Sequence, residues 1–232
     1  MNPWKNDRFQ DRTEAGRALA RELAHLRGRE PLVLGLPRGG VPVAAEIARA
    51  LDAPLDLLLV RKLGAPFQPE LAMGAIGEDG IRVLDEGIVN RLRIGRRRID
   101  AVESRERQRI EEAGERFRPY RPVATPWEGR TVVIADDGIA TGATVNAACQ
   151  VARQREVGRL VVAAPVATRE SVARLSEIAD DVIVLSTPAD FMAISQFYED
   201  FSQVTDEEVV HYLREANRDQ SHEPLEGGDA LA

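Results

Sequence analysis

Val132-Val-Ile-Ala-Asp-Asp-Gly-Ile-Ala-Thr-Gly-Ala-Thr144 is the stretch from which the rest of the chain can be read. Thr131 to Ala135 is apolar and β-branched without polar alternation, the pattern of a strand buried on both faces. It delivers two consecutive acids, Asp136 and Asp137, to its carboxyl end, and from Ala143 the spacing turns helical. In an open α/β sheet that end of a strand is where ligands bind. Gly138 and Gly142 permit close backbone approach, Thr141 and Thr144 offer hydroxyls, and the free N–H groups and dipole of a helix start attract an anion. Gly138, Ile139, Ala140, Thr141, Gly142, Ala143 and Thr144 therefore read as a cradle for one phosphate. Two carboxylates directly before such a cradle would repel the phosphate, and accepting hydrogen bonds from vicinal sugar hydroxyls is the natural task for them. Sugar and phosphate together point to a ribose 5-phosphate unit. The plainer alternative is a helix-capping turn, with the acids and glycines serving only its geometry; the joint pattern makes that the minority reading.

Outward from this stretch, strands and helices alternate. Helix Ala143 to Arg155, strand Leu160 to Ala164, helix Arg169 to Ile178 and strand Asp181 to Leu185 follow it. Before it come an amphipathic helix from Asp11 to Leu26, a strand from Pro31 to Leu36, a turn at Pro37-Arg38-Gly39-Gly40, a helix from Val41 to Leu51 and a strand from Leu55 to Val60. This order predicts an α/β fold with a doubly wound parallel sheet. Arg61 to Gly80 is rich in Gly, Pro and polar residues, interrupted by Ala72 to Ile76, and reads as a long loop leading into a hairpin with Ile81 to Leu84. Glu86 to Arg118 is helical and densely charged, with Gly95 and Gly114 as interruptions; its Arg96-Arg97-Arg98 faces Glu103, Glu106, Glu111 and Glu112, as in a solvated helix laced with ion pairs. A last helix spans Asp206 to Ala216, and Asn217 to Ala232 has little to bury and reads as a frayed tail. The expected organisation is one domain over residues 1–216, with its core at about 31–185.

Composition narrows the classes. With 232 residues, 44% hydrophobic and 30% charged, the chain can bury a substantial core. Its net charge of -7, with acids and bases interspersed, gives no continuous basic face, so nucleic acid is not an expected partner. Cys149 is the only cysteine, which rules out an internal disulfide and a thiolate metal site and suggests a reducing, cytoplasmic setting. No stretch approaches the roughly 20 apolar residues of a membrane span, and Met1 to Arg12 lacks a signal-peptide run, so no membrane is expected either. His25, His211 and His222 are too scattered for a metal cluster, so no protein-built metal site is expected. Only Lys5 and Lys62 of the 31 basic residues are lysines, which makes Lys62 conspicuous.

VVIADDGIATGAT resembles the thirteen-residue signature of the type I phosphoribosyltransferases: four apolar residues, two acids, then a TG-x-T loop. The resemblance covers the core from about Pro31 to Leu185. It implies a type I phosphoribosyltransferase-like fold with a flexible hairpin loop and a small hood built from N-terminal residues and residues 186–216. It further implies phosphoribosyl pyrophosphate as substrate, with Asp136 and Asp137 on the ribose hydroxyls and the segment to Thr144 around the 5′-phosphate. Pro37, Arg38, Gly39 and Gly40 stand where the family has its pyrophosphate loop, and Arg38 would fork onto pyrophosphate oxygens. Arg61 to Met73 stands in the place of a mobile loop that shuts out water, with Arg61 and Lys62 at its root as catalytic cations; two ordinary strand-end cations are the equal alternative. Mg²⁺ would arrive with the pyrophosphate rather than occupy a protein-built cage.

The acceptor is less legible. Phe191, Phe197 and Tyr198 follow the last core strand, where purine-type relatives place a stacking aromatic; a packing cluster with Phe201 is the alternative. Ala140 stands where 6-oxopurine enzymes carry an acid, which argues against that acceptor class. The reading is Mg-dependent transfer of ribose 5-phosphate to a nitrogenous, purine-like base with release of pyrophosphate. A non-catalytic sensor of phosphoribosyl pyrophosphate or a nucleotide on the same fold is its rival, with a ribose-phosphate hydrolase or phosphorylase third. Oligomers are common in the family, so a homodimer joins the expectations.

Overall fold

The computed structural model describes residues 8–122 and 126–218. Five parallel strands form the main sheet in the order β2-β1-β6-β7-β8: β1 (Leu32–Gly35), β2 (Leu55–Leu57), β6 (Thr131–Ala135), β7 (Arg159–Val166) and β8 (Asp181–Ser186). Successive residues of a strand point to opposite faces. Val33, Val133 and Val161 accordingly pack with α1 (Arg12–Glu22), α2 (Gly40–Leu51) and α7 (Asp206–Arg218), while Leu34, Ile134 and Val162 pack with α5 (Ala143–Gln154) and α6 (Arg169–Leu175). Both faces are covered, which is why these strands read as unbroken apolar runs and why the sheet is doubly wound as expected.

A second, antiparallel sheet of order β3-β4-β5 comprises β3 (Val60–Ala65), β4 (Gln68–Gly77) and β5 (Arg82–Leu84). Leu63, Met73 and Ile76 bury against α3 (Glu86–Arg91) and α4 (Arg96–Phe117) in a third core. The hairpin with Ile81 to Leu84 forms as expected, as β4 against β5, whereas the preceding stretch from Arg61, expected to be loop, is mostly strand. The glycines taken for loop residues let neighbouring backbones meet: a Cβ on Gly64 would lie 2.5 Å from the Pro69 carbonyl oxygen, and one on Gly74 would collide with that of Val83. The expected strand Leu55 to Val60 divides for a related reason. Leu58 still faces the main sheet's core and Leu59 already faces the third, so the chain changes sheets between β2 and β3.

Gly95 does interrupt the helical run, lying between α3 and α4 as the N-cap of α4, but Gly114 lies within α4. It permits close packing there, since a Cβ would stand 3.0 Å from the Glu78 Oε1. The first and sixth helices stop earlier than their periodicity suggests, at Glu22 and Leu175, and α7 runs on through Asn217 to Arg218. The remainder of the expected tail, residues 219–232, lies outside the described residues. Arg121 ties the two sheets: its guanidinium donates to Asp56 on β2 at 2.6 and 3.0 Å and to Glu78 after β4 at 2.6 Å. The chain before α1 pairs with the segment after β8, through Phe9 N–H to Phe197 O at 2.9 Å and Glu199 N–H to Phe9 O at 2.8 Å, and this forms the hood. Among the described residues no helix is long and apolar enough to cross a membrane.

Candidate functional site

β6 ends at Ala135 and the chain passes over the carboxyl edge of the sheet before α5 begins at Ala143. The turn is held from its outer side. Ile139 donates to Val166 O at 2.8 Å and accepts from Thr168 N–H at 3.0 Å, the Thr168 hydroxyl donates to Ala140 O at 2.9 Å, and Arg174 donates to Thr141 O at 2.7 Å. With its carbonyls anchored outward, the N–H groups of Gly138, Ala140, Thr141 and Gly142 make no hydrogen bond among the described residues. Gly142 has φ of 71°, a conformation in which a side chain would be strained. Residues Asp136 to Val145, with Ile194 opposite, enclose a cavity of about 200 Å³. A turn whose free donors converge on a small cavity at a helix start can hold an anion of phosphate size.

The two acids have different surroundings. Asp137 is buried and accepts a hydrogen bond at 2.8 Å from the Nε of Arg12, whose Nη1 donates to Ser202 O at 2.8 Å and whose guanidinium lies 4.0 Å from the Phe201 ring centroid. The Tyr198 hydroxyl donates to the Asp137 carbonyl at 2.6 Å. Asp136 accepts from the Asp137 N–H at 2.9 Å and is partly open to the cavity. Burial, and then the Asp137 carboxylate beside it, push Asp136 well above the usual carboxylate range. Burial also raises Asp137, against the opposing pull of Arg12.

Pro37 to Gly40 meets the acids from the other side. A Cβ on Gly39 would run into the Asp137 carboxylate, and one on Gly40 would stand 2.5 Å from the Ala135 carbonyl oxygen, so only glycine allows this loop to close on β6. The Pro37–Arg38 peptide is cis. The Arg38 Nη1 reaches Asp206 Oδ1 at 3.5 Å, and Arg116 from α4 holds the other oxygen at 2.9 Å.

Of the remaining sequence candidates, Arg61 and Lys62 lie on β3, not in a loop. Both line a wide cleft whose floor includes Thr141 and Thr144, and Lys62 pairs across the hairpin with Glu70 at 2.9 Å. Tyr198 is not a stacking platform. It is 2% exposed, packed between Phe9 and Phe201 at 5.8 and 5.0 Å, because its hydroxyl has a buried partner and its ring fills the hood's core. Phe191 and Phe197 stay half-buried and touch each other at 5.4 Å. Sequence reasoning missed Arg12, Asp206 and Ile194. Arg12 and Asp137 are separated by 125 positions, and no local pattern marks such a pair.

Comparison with known proteins agrees with this geometry. The model of the phosphoribosyl transferase domain matches residues 7–202. Two curated proteins of Mycobacterium tuberculosis, from different strains and provisionally named phosphoribosyl transferases, are each 53% identical over 211 residues, 91% of this chain and 47% of their own length. The chain thus spans about half the length of the curated relatives it matches. The crystal structure of TT1426 from Thermus thermophilus superimposes with a TM-score of 0.83 at 47% identity, covering 90% of this chain and 98% of that one. A cradle of free N–H groups after paired acids, on a doubly wound sheet and within a family match of this extent, leads to one statement: the chain belongs to the phosphoribosyl transferase domain family.

Proposed function

We propose that this chain catalyses Mg-dependent transfer of the ribose 5-phosphate group from phosphoribosyl pyrophosphate to a nitrogenous, purine-like base. The observation that carries the reading is the meeting of three recognition segments at one sheet edge: the donor-lined turn Gly138 to Thr144, the acid pair before it, and the glycine loop Pro37 to Gly40 packed against those acids. The turn would hold the 5′-phosphate through N–H groups, and Asp136 would accept from a ribose hydroxyl. Arg38 would exchange Asp206 for pyrophosphate oxygens, a stronger, bidentate match for a guanidinium. In the transfer, the acceptor nitrogen's lone pair forms the new bond to the anomeric carbon. The bond from that carbon to the pyrophosphate oxygen breaks with its electrons on oxygen, and the nitrogen's proton passes to water. Arg61 and Lys62 would steady the charge that develops on the leaving group.

Among the described residues no group of three His, Cys, Asp or Glu side chains could hold a metal ion. At the cradle the only carboxylates are Asp136 and Asp137, and Arg12 already engages the second. That donor set fits Mg²⁺ carried in on the pyrophosphate, with Asp136 as the protein's nearby acceptor. The ion would neutralise leaving-group charge. Phe191 and Phe197 remain the base-stacking candidates.

The test is Mg²⁺-dependent pyrophosphate release from phosphoribosyl pyrophosphate over a panel of purine, pyrimidine and other amine acceptors. Release with one acceptor, lost in Asp136→Ala, is expected. Binding of phosphoribosyl pyrophosphate without release for any acceptor would replace the transferase with a sensor.

A further inference from the structure

The wide cleft beside the phosphate cradle carries, on α4, positive charge that the sugar-phosphate reading does not use. It encloses about 750 Å³ between β3, the hairpin tip, α4 and the start of α5, a volume that takes a small-molecule ligand. Arg98, Arg105 and Arg109 project into it from α4; at spacings of seven and four they fall on one side of the helix. Arg61 and Lys62 line the same cleft from β3. Five cations thus line one cleft in a chain whose net charge is -7.

The cleft's own carboxylates offset only part of this. Glu70 pairs with Lys62 at 2.9 Å, and Glu106, 6% exposed, is shared by Arg105 at 3.2 Å and Arg109 at 2.9 Å. Arg98 has an aromatic partner instead, the Phe67 ring with its centroid 4.8 Å away, and among the described residues Arg61 makes no ion pair. Like charges brought together from two elements repel unless an anion joins them. Phe67 is itself anomalous, a ring left 76% exposed at the tip between β3 and β4. With Val60 and Pro66 it gives the cationic cleft an apolar wall.

We propose that this cleft is a second anion site, for a ligand carrying a phosphate or carboxylate group on an aromatic body. The anionic group would lie among the arginines of α4, and the ring against Phe67. Thr141, Ala143 and Thr144 line both this cleft and the cradle, so the ligand sits beside a bound sugar phosphate. None of Asp136, Asp137, Phe191 and Phe197 lines this cleft, so its ligand is a further small molecule beside the transferase site and distinct from the acceptor base.

Calorimetric titration of the full chain with phenyl phosphate and with benzoate tests the site, with phenol as the uncharged control and ribose 5-phosphate as probe of the cradle. At least one of the two anions is expected to bind, phenol is not, and saturating ribose 5-phosphate should leave that binding in place. Arg98→Gln/Arg105→Gln, two exposed changes, should weaken the aromatic anion at least tenfold and leave ribose 5-phosphate unchanged. Asp136→Asn should do the reverse. Absence of binding by both anions, displacement by ribose 5-phosphate, or indifference to the double variant would overturn the proposal. Failure of the transferase reading looks different: ribose 5-phosphate and phosphoribosyl pyrophosphate fail to bind while the aromatic anion still responds to the arginine variant.

Discussion

At the scale of single residues, the two adjacent acids do opposite work. Asp137 is a strut: Arg12 and Tyr198 fix it to the hood, and Gly39 packs on its carboxylate. Asp136 is held in a place that burial and its neighbour make unfavourable for charge. Its folded pKa lies above its unfolded one, so its contribution favours folding at low pH and is lost as pH rises through the folded value. Asp136→Asn should therefore raise stability at pH 7 by about 1 kcal/mol, with the gain disappearing in acid, while binding of phosphoribosyl pyrophosphate is lost. Urea unfolding at several pH values checks the first part and calorimetry the second. Arg12→Met leaves the buried Asp137 carboxylate without its cation and should cost about 3 kcal/mol. Adding Asp137→Asn should recover most of that loss, because removing both charges is far cheaper than stranding one; no recovery in denaturant melts would mean that Arg12 stabilises through Ser202 and Phe201 alone.

At the scale of elements, the β3–β4 hairpin is ordered by its own pairing and by the third core, yet it carries an exposed ring and several exposed charges toward the cleft. The Lys62–Glu70 pair is a surface pair, with Glu70 95% exposed. Such pairs are worth about 0–1 kcal/mol. Lys62→Met should shift the unfolding midpoint very little and lower kcat about tenfold or more in the transferase reaction, since an interaction made only with the leaving group appears in kcat. A loss of stability matching the loss of rate would demote Lys62 to an ordinary strand-end cation. The start of α7 has a comparable double role, because Asp206 joins Arg116 of α4 to Arg38 of the glycine loop.

At the scale of the molecule, the cleft exists because two sheets with separate cores are set against each other, and Arg121 is a bolt between them. It joins Asp56, 9% exposed on the main sheet, to Glu78 at the end of the small one. Arg121→Met should cost about 3 kcal/mol, a fall in Tm of roughly 6–12 °C for a chain of this size. Thermal unfolding followed by circular dichroism measures it. A loss of under about 1 kcal/mol would mean that the two cores hold the sheets together unaided.

By itself the sequence determined the parallel sheet, its helices and the turn proposed as the phosphate cradle. β6 is apolar throughout because both of its faces are covered, and Gly138 to Thr144 is short and contiguous, so its chemistry lies in consecutive letters. The family resemblance singled out Pro37 to Gly40, and the pairing of β1 with β6 brings that loop beside the turn. Three things only the tertiary structure decided. The glycines of Arg61 to Gly80 could belong to a loop or to strands in close contact, and the third core chose strands. Tyr198 could stack on a base or pack in a core, and the pairing of Phe9 with the chain after β8 enclosed it. The division of labour between Asp136 and Asp137 rests on an arginine 125 positions away, and a pair so distant acquires its energy only when folding removes both charges from water.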